Sequence, residues 1–141
     1  MRRFFALLLL LGLALAGGAR LFVAPDDGAG YLKALIDGAQ KSIDIKMYLW
    51  TRGRLDLVEA IARATRRGVR VRVLLDRDPG HGQDPLVLER LKAAGAEVRL
   101  SSPLRFLNLH EKSMLIDGQR LWFSTGNFTK STFTKNREYA V

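Results

Sequence analysis

Cysteine is absent from this sequence, and histidine occurs only twice, as His81 and His110. Without thiols the chain has no disulfides, no thiolate nucleophile and no cysteine-bearing metal site. Proline is sparse, four residues in 141, so little interrupts regular structure. Only one long apolar run exists, Phe4 to Ala16, and it is short for a membrane span, which needs about 20 apolar residues. No internal repeat is present, and there is no low-complexity segment outside that run. Acids are outnumbered, 14 against 23 lysines and arginines, leaving a formal charge of +9. That excess suits polyanionic partners, nucleic acid or an anionic lipid surface, although solubility alone also accounts for it.

What is present divides the chain in two. Arg2 and Arg3 precede the apolar run, and "ALA" at Ala14 to Ala16 supplies small residues at its end. This is the pattern of a secretory signal peptide over residues 1–19, with an uncleaved N-terminal anchor as the alternative. The expectation is an exported domain, periplasmic or secreted, over residues 20–141. Without the first 19 residues, which hold two arginines and no acid, it carries +7. At this length one domain with a real core is expected.

Residues 20–141 alternate two periodicities. Tyr31, Leu32, Leu35, Ile36 and Ala39 follow helical spacing, with Asp26 or Asp27 as candidate caps. "SIDIKM" alternates as a strand does. "LDLVEAIARATRRG" returns to helical spacing and ends on Gly68, and "VRVRVLLD" is again a strand. Asp84-Pro85 is an N-cap and N1 pair for a helix closed by Gly95, and "AEVRL" is a short strand. Strand and helix in strict alternation predict an α/β domain with parallel strand pairs.

The chemistry-bearing stretch is "LHEKSMLIDGQRLWFSTGNFT", Leu109 to Thr129. Asp117-Gly118 between apolar runs signals a hairpin. His110 and Lys112 are two residues apart, so on a strand they share a face at about 6.6–7 Å. With a two-residue loop, in either register, Thr125 and Asn127 fall on that same face, while Asp117 stays at the turn and off it. A three-residue loop breaks the relationship. A neutral imidazole is a nucleophile and proton carrier, and a lysine with neutral donors beside it fits a phosphate gaining charge in a transition state. The plainer reading of an isolated H-x-K is a polar hairpin whose histidine is merely hydrogen-bonded.

The run H110-E-K112-SMLI-D117-GQRLWF-STGN127 resembles the HxK(x4)D(x6)GSxN signature of the phospholipase D superfamily, the HKD enzymes. It departs where the family has Gly-Ser and this chain has Ser124-Thr125, which keeps the hydroxyl and loses the glycine. "AQKSIDIKMYLWT", "AIARATRRGVRVRVLLD" and "NREYAV" also look like members with one motif per chain. The resemblance implies a mixed β-sheet flanked by helices and a homodimer in which two copies build one active site. It implies that His110 of one copy forms a phosphohistidine and His110 of the other is the general acid. Lys112 and Asn127 would hold the phosphate oxygens with help from Thr125, and Glu138 would orient the nucleophile. Asp117 is then a structural member of the motif, and no metal or other cofactor is implied. Relatives of this kind continue past the position matching Val141 with another strand and a helix, so the sequence reads as a C-terminally truncated copy.

These features predict an exported phosphodiesterase, nuclease favoured, with a phospholipase D acting on lipid head groups and peripheral membrane association as the alternative. A catalytically impaired nucleic-acid-binding module and half of a two-motif enzyme are the other readings. Asp76 and Asp78 read as loop residues rather than a metal pair, and His81 as an exposed loop residue that could border the substrate groove. The arginines of "TRRGVRVR" read as a helix end and a solvated strand face. Trp50, Trp122 and Phe128 read as core or dimer interface, with Phe128, beside Asn127, also open as a surface for stacking bases.

Overall fold

A computed structural model describes residues 18–80, 82–105 and 107–141. The leader or anchor expected over residues 1–19 and the expected exposure of His81 therefore lie wholly or mostly outside the described residues. Among the described residues no helix is long and apolar enough to cross a membrane.

The elements in chain order are β1 (Phe22–Ala24), α1 (Gly30–Asp37), β2 (Ser42–Met47), α2 (Leu55–Arg66), β3 (Arg70–Leu75), α3 (Pro85–Ala93), β4 (Glu97–Leu100), β5 (Lys112–Ile116), β6 (Arg120–Phe123) and β7 (Glu138–Ala140). Five strands form the main sheet in the order β4-β3-β2-β5-β6, with β2, β3 and β4 parallel and β5 and β6 antiparallel to their neighbours. β1 and β7 pair as a small antiparallel ribbon. This is the mixed sheet flanked by helices that the sequence predicts.

The helical boundaries follow local chemistry. Asp84 caps α3 by accepting the Leu86 amide at 3.1 Å, with Pro85 at the first helical position. Such a cap is worth about 1 kcal/mol. Gly68 and Gly95 follow α2 and α3 with φ of +88° and +87°, the left-handed turn in which a Cβ is costly. The first helix departs from expectation, because its N-cap is Ala29 and neither aspartate caps it. Asp27 instead accepts the Val23 amide at 2.7 Å, and Asp26 pairs with Arg137 at 2.6 Å. Both acids are drawn to the β1–β7 ribbon that passes beside them.

The connections β2-α2-β3 and β3-α3-β4 step across the sheet in one direction. Right-handed crossovers therefore put α2 and α3 on the same face. Against that face Ile43, Ile45, Met47, Val71, Val73, Leu75, Met114, Ile116 and Trp122 are buried. Each is a period-two position of its strand, and burial of that side stabilises the fold at roughly 25 cal/mol per Å². The opposite face is polar on β2 and β3, where Arg72 holds Asp44 in a two-pronged ion pair. Phe128 is fully buried, edge-on to Trp50 with ring centroids at 4.8 Å and 5.6 Å from Trp122. All three aromatics belong to the core, and Phe128 is closed to a stacking base.

Candidate active site

β2 and β3 run in parallel and end on the same edge of the sheet, just before Tyr48 and Asp76. The antiparallel β5 begins on that edge, so the residues leading into it, His110 and Glu111, arrive beside Tyr48. The carboxyl edge of parallel strands is where α/β proteins commonly place their ligands. Here the chain's second histidine is delivered to that edge.

Lys112 Nζ lies 3.0 Å from Nδ1 and 3.1 Å from Nε2 of His110 and donates to the His110 carbonyl at 2.9 Å. An ammonium has no lone pair, so Lys112 can only donate in these contacts. Tyr48 walls the pair, with its ring 4.5 Å from the His110 ring and 5.3 Å from Lys112 Nζ, a cation–π contact. Lys112 is only 4% exposed, whereas His110 is exposed. Burial pushes the Lys112 ammonium below the usual lysine range, and the negative charge of Glu138 works against that shift. The cation is held by the fold and the imidazole is open to a ligand.

The hairpin forms as predicted, but its register does not. Gln119 donates to the Ile116 carbonyl at 3.0 Å across Asp117 and Gly118, whose φ values are +55° and +69°. Gln119 is then an extra residue, and the ladder starts at Ile116 opposite Arg120. Three residues make the loop, so every pair is shifted by one. The residue opposite Lys112 is Ser124, whose amide bonds the Lys112 carbonyl at 2.9 Å, and not Thr125. The expected face carrying His110, Lys112, Thr125 and Asn127 by hairpin parity is thereby overturned. Asp117 explains the tight fastening of this turn, since its carboxylate accepts the amides of Gln40, Lys41 and Ser42 at 2.7–3.1 Å. Those bonds, above all from Ser42 and Lys41, hold its carboxyl below the usual range. Asp117 sits at the turn in a structural role.

Thr125 and Asn127 are placed by other neighbours. The Thr125 amide bonds the Tyr139 carbonyl at 2.9 Å, and its hydroxyl donates to Glu138 at 2.6 Å. Asn127 accepts the Leu49 amide at 3.3 Å, one residue along from Tyr48. Glu138 is linked to Thr125 and acts on Lys112 through its charge, and among the described residues no hydrogen bond joins it to His110. Ser124, at the departure from the motif, is buried and accepts the Gly126 amide at 2.9 Å.

Two residues of the site were not singled out from the sequence as site residues. A Cβ on Gly126 would stand 2.5 Å from Thr132 Cγ2 and 3.0 Å from Glu138 Cγ, so only glycine lets Glu138 approach. Asp76, read as a loop residue, is 1% exposed, and its carboxylate accepts the Leu109 amide just before His110. A glycine inside the motif was a legible signal for the first; nothing local distinguishes the second.

Comparison with known proteins agrees with this fold. Residues 32–141 match the family model described as "Cardiolipin synthase, PLD-like domain". A mitochondrial cardiolipin hydrolase of Chlamydomonas reinhardtii is 28% identical over 73% of this chain and 44% of its own length. Cardiolipin synthase C of Escherichia coli is 36% identical over 62% of this chain and 19% of its own. The chain thus spans less than half the length of either curated relative. Among solved structures, the phospholipase D family member Nuc of Salmonella typhimurium superposes with a TM-score of 0.74 at 28% identity, over 86% of this chain and 78% of that one. With the family match running over residues 32–141 and the fold shared, the chain belongs to the phospholipase D superfamily, with one H-x-K motif in its 141 residues.

Proposed function

We propose that this protein hydrolyses phosphodiester bonds through a phosphohistidine on His110, with nucleic acid as the favoured substrate. The observation that carries the reading is the buried Lys112 ammonium against an exposed His110 imidazole. The imidazole nitrogen bonds phosphorus as the bond to the leaving oxygen breaks, and His110 of a second copy gives that oxygen its proton. The same second histidine then takes a proton from water, which attacks the phosphohistidine and frees His110. Lys112 and Asn127 of both copies hold the non-bridging oxygens, where charge gathers. Thr125 and Glu138 line the same edge, and Asp117 holds the hairpin. The resemblance supports a homodimer and a reaction that needs no metal ion.

The formal charge of +9, or +7 without the first 19 residues, supports nucleic acid. Two curated relatives named for cardiolipin support a second reading, hydrolysis at phospholipid head groups with peripheral membrane association. Export, by cleaved leader or N-terminal anchor, remains part of the proposal.

The test is to give the full chain plasmid DNA or cardiolipin vesicles, each with excess EDTA, beside His110→Ala. Cleavage of DNA that survives EDTA and vanishes in His110→Ala is expected. Loss of cleavage in EDTA sinks the metal-free reaction, and release of phosphatidic acid without DNA cleavage selects the lipid reading.

A further inference from the structure

We infer that Asp76 is a positioning residue for His110, acting through the Leu109 amide; this rests on His110 being the nucleophile, as proposed above. A carboxylate at 1% exposure is costly unless its oxygens are satisfied, and donors meet both. The Asp78 amide reaches Oδ1 at 2.9 Å, the Ser101 hydroxyl reaches Oδ2 at 3.3 Å, and the Leu109 amide bonds the same Oδ2. None of these partners is a cation: Asp78 lies in the loop after β3, while Ser101 and Leu109 bound the loop that leads to the site.

That loop explains why a tether is required. The described residues between Ser101 and Leu109 are exposed, with Leu104 95% and Leu107 96% open to solvent, so burial of their side chains does not place them. Its two ends meet on one oxygen of Asp76. Ser101 is fixed further by its amide to Leu75 at 2.8 Å and by accepting Arg77 at its hydroxyl and carbonyl. On the far side of His110, the Glu111 carbonyl accepts the Tyr48 amide at 3.0 Å. The nucleophile is thus held between two main-chain hydrogen bonds, one to β2's end and one to Asp76. Gln83 braces the same corner, donating to the carbonyls of Tyr48 at 2.6 Å and Asp76 at 3.0 Å. Both ends of the His110 segment therefore refer to one buried polar joint.

The experiment compares wild type with Asp76→Ala, Asp76→Asn and His110→Ala on bis(p-nitrophenyl) phosphate, scaling kcat to the histidine that can be phosphorylated. Asp76→Ala is expected to lose about 10- to 100-fold in kcat with KM within about threefold, as displacement of a nucleophile by an ångström does. Asp76→Asn, which keeps one acceptor oxygen, should lose less. Hydrogen exchange on the wild-type chain should show the Leu109 amide protected while Asn108 exchanges freely, a result that does not depend on any variant folding. Wild-type kcat in Asp76→Ala, or a Leu109 amide exchanging as fast as Asn108, overturns the inference. Activity surviving in His110→Ala instead overturns the reading of the nucleophile and leaves the exchange measurement to decide the tether.

Discussion

Lys112 Nζ stands about equally close to both ring nitrogens of His110, at 3.0 and 3.1 Å, while its own side chain is almost wholly buried. In the proposed reaction a cation so placed meets the phosphate beside the nucleophile. Burial lowers its affinity for a proton, so the charge costs the folded protein stability.

From this follows a pH dependence. Activity that needs the Lys112 charge is expected to decline on an alkaline limb below the ordinary lysine value of about 10.4. In Lys112→Arg any remaining activity should lose that limb, because a guanidinium stays charged. The linkage sign runs the other way for stability. The folded state binds the proton less tightly than the unfolded one, so the burial penalty is fully present at neutral pH. It is relieved as pH rises from the lowered folded value to the unfolded one. Lys112→Met should cost about 10²- to 10³-fold in kcat while flattening that rise in stability. An unchanged alkaline limb in Lys112→Arg would count against the assignment.

Gly126→Ala is expected to be damaging without touching a titratable group. The new methyl would overlap Thr132 and press on Glu138, and such overpacking costs about 1–3 kcal/mol. Thermal unfolding should show the loss. Activity per folded molecule should fall as well, since Glu138 is displaced from Thr125 and Lys112.

Thr125 and Glu138 should behave as a coupled pair. Thr125→Val removes the hydroxyl that donates to Glu138 at 2.6 Å, and Glu138→Gln removes the charge that acts on Lys112. Their combined effect on kcat/KM is expected to be smaller than the product of the single effects, with a coupling of about 0.5–3 kcal/mol. Strict additivity in the double-mutant cycle would show that they act separately.

Asp117→Asn separates fold from chemistry. Its carboxyl is held below the usual range by the amides of Ser42, Lys41 and Gln40, so its contribution is present above the unfolded carboxylate value of about 3.9. That contribution is lost as pH falls through the lowered folded value. Urea midpoints of wild type and Asp117→Asn should therefore differ near pH 7 and converge in acid, with KM little changed. A variant equally stable at every pH would contradict this role.

Mixing tests the shared site. When wild type and His110→Ala are unfolded together in equal amounts and refolded, a two-copy site that needs both histidines leaves about a quarter of the activity expected for wild type alone, since random pairing makes only that share of fully wild-type dimers. Independent sites would leave about half.

How much of this was legible beforehand differs from residue to residue. The sequence by itself determined the alternation of strand and helix, the Asp84-Pro85 start and the Gly95 stop, the turn at Asp117-Gly118, and the pairing of His110 with Lys112. All of these rest on period, cap or neighbour along the chain, where a few residues settle the free energy. Only the tertiary structure decided the rest. One extra loop residue, Gln119, shifted the hairpin ladder, and Thr125 took its partner from β7 instead of from β5. Asp76 became the anchor of the His110 segment because β3 and the loop before β5 meet at one sheet edge. Such choices depend on groups brought together from distant parts of the chain. A buried carboxylate gives no local sign of which amide will satisfy it until the sheet has formed.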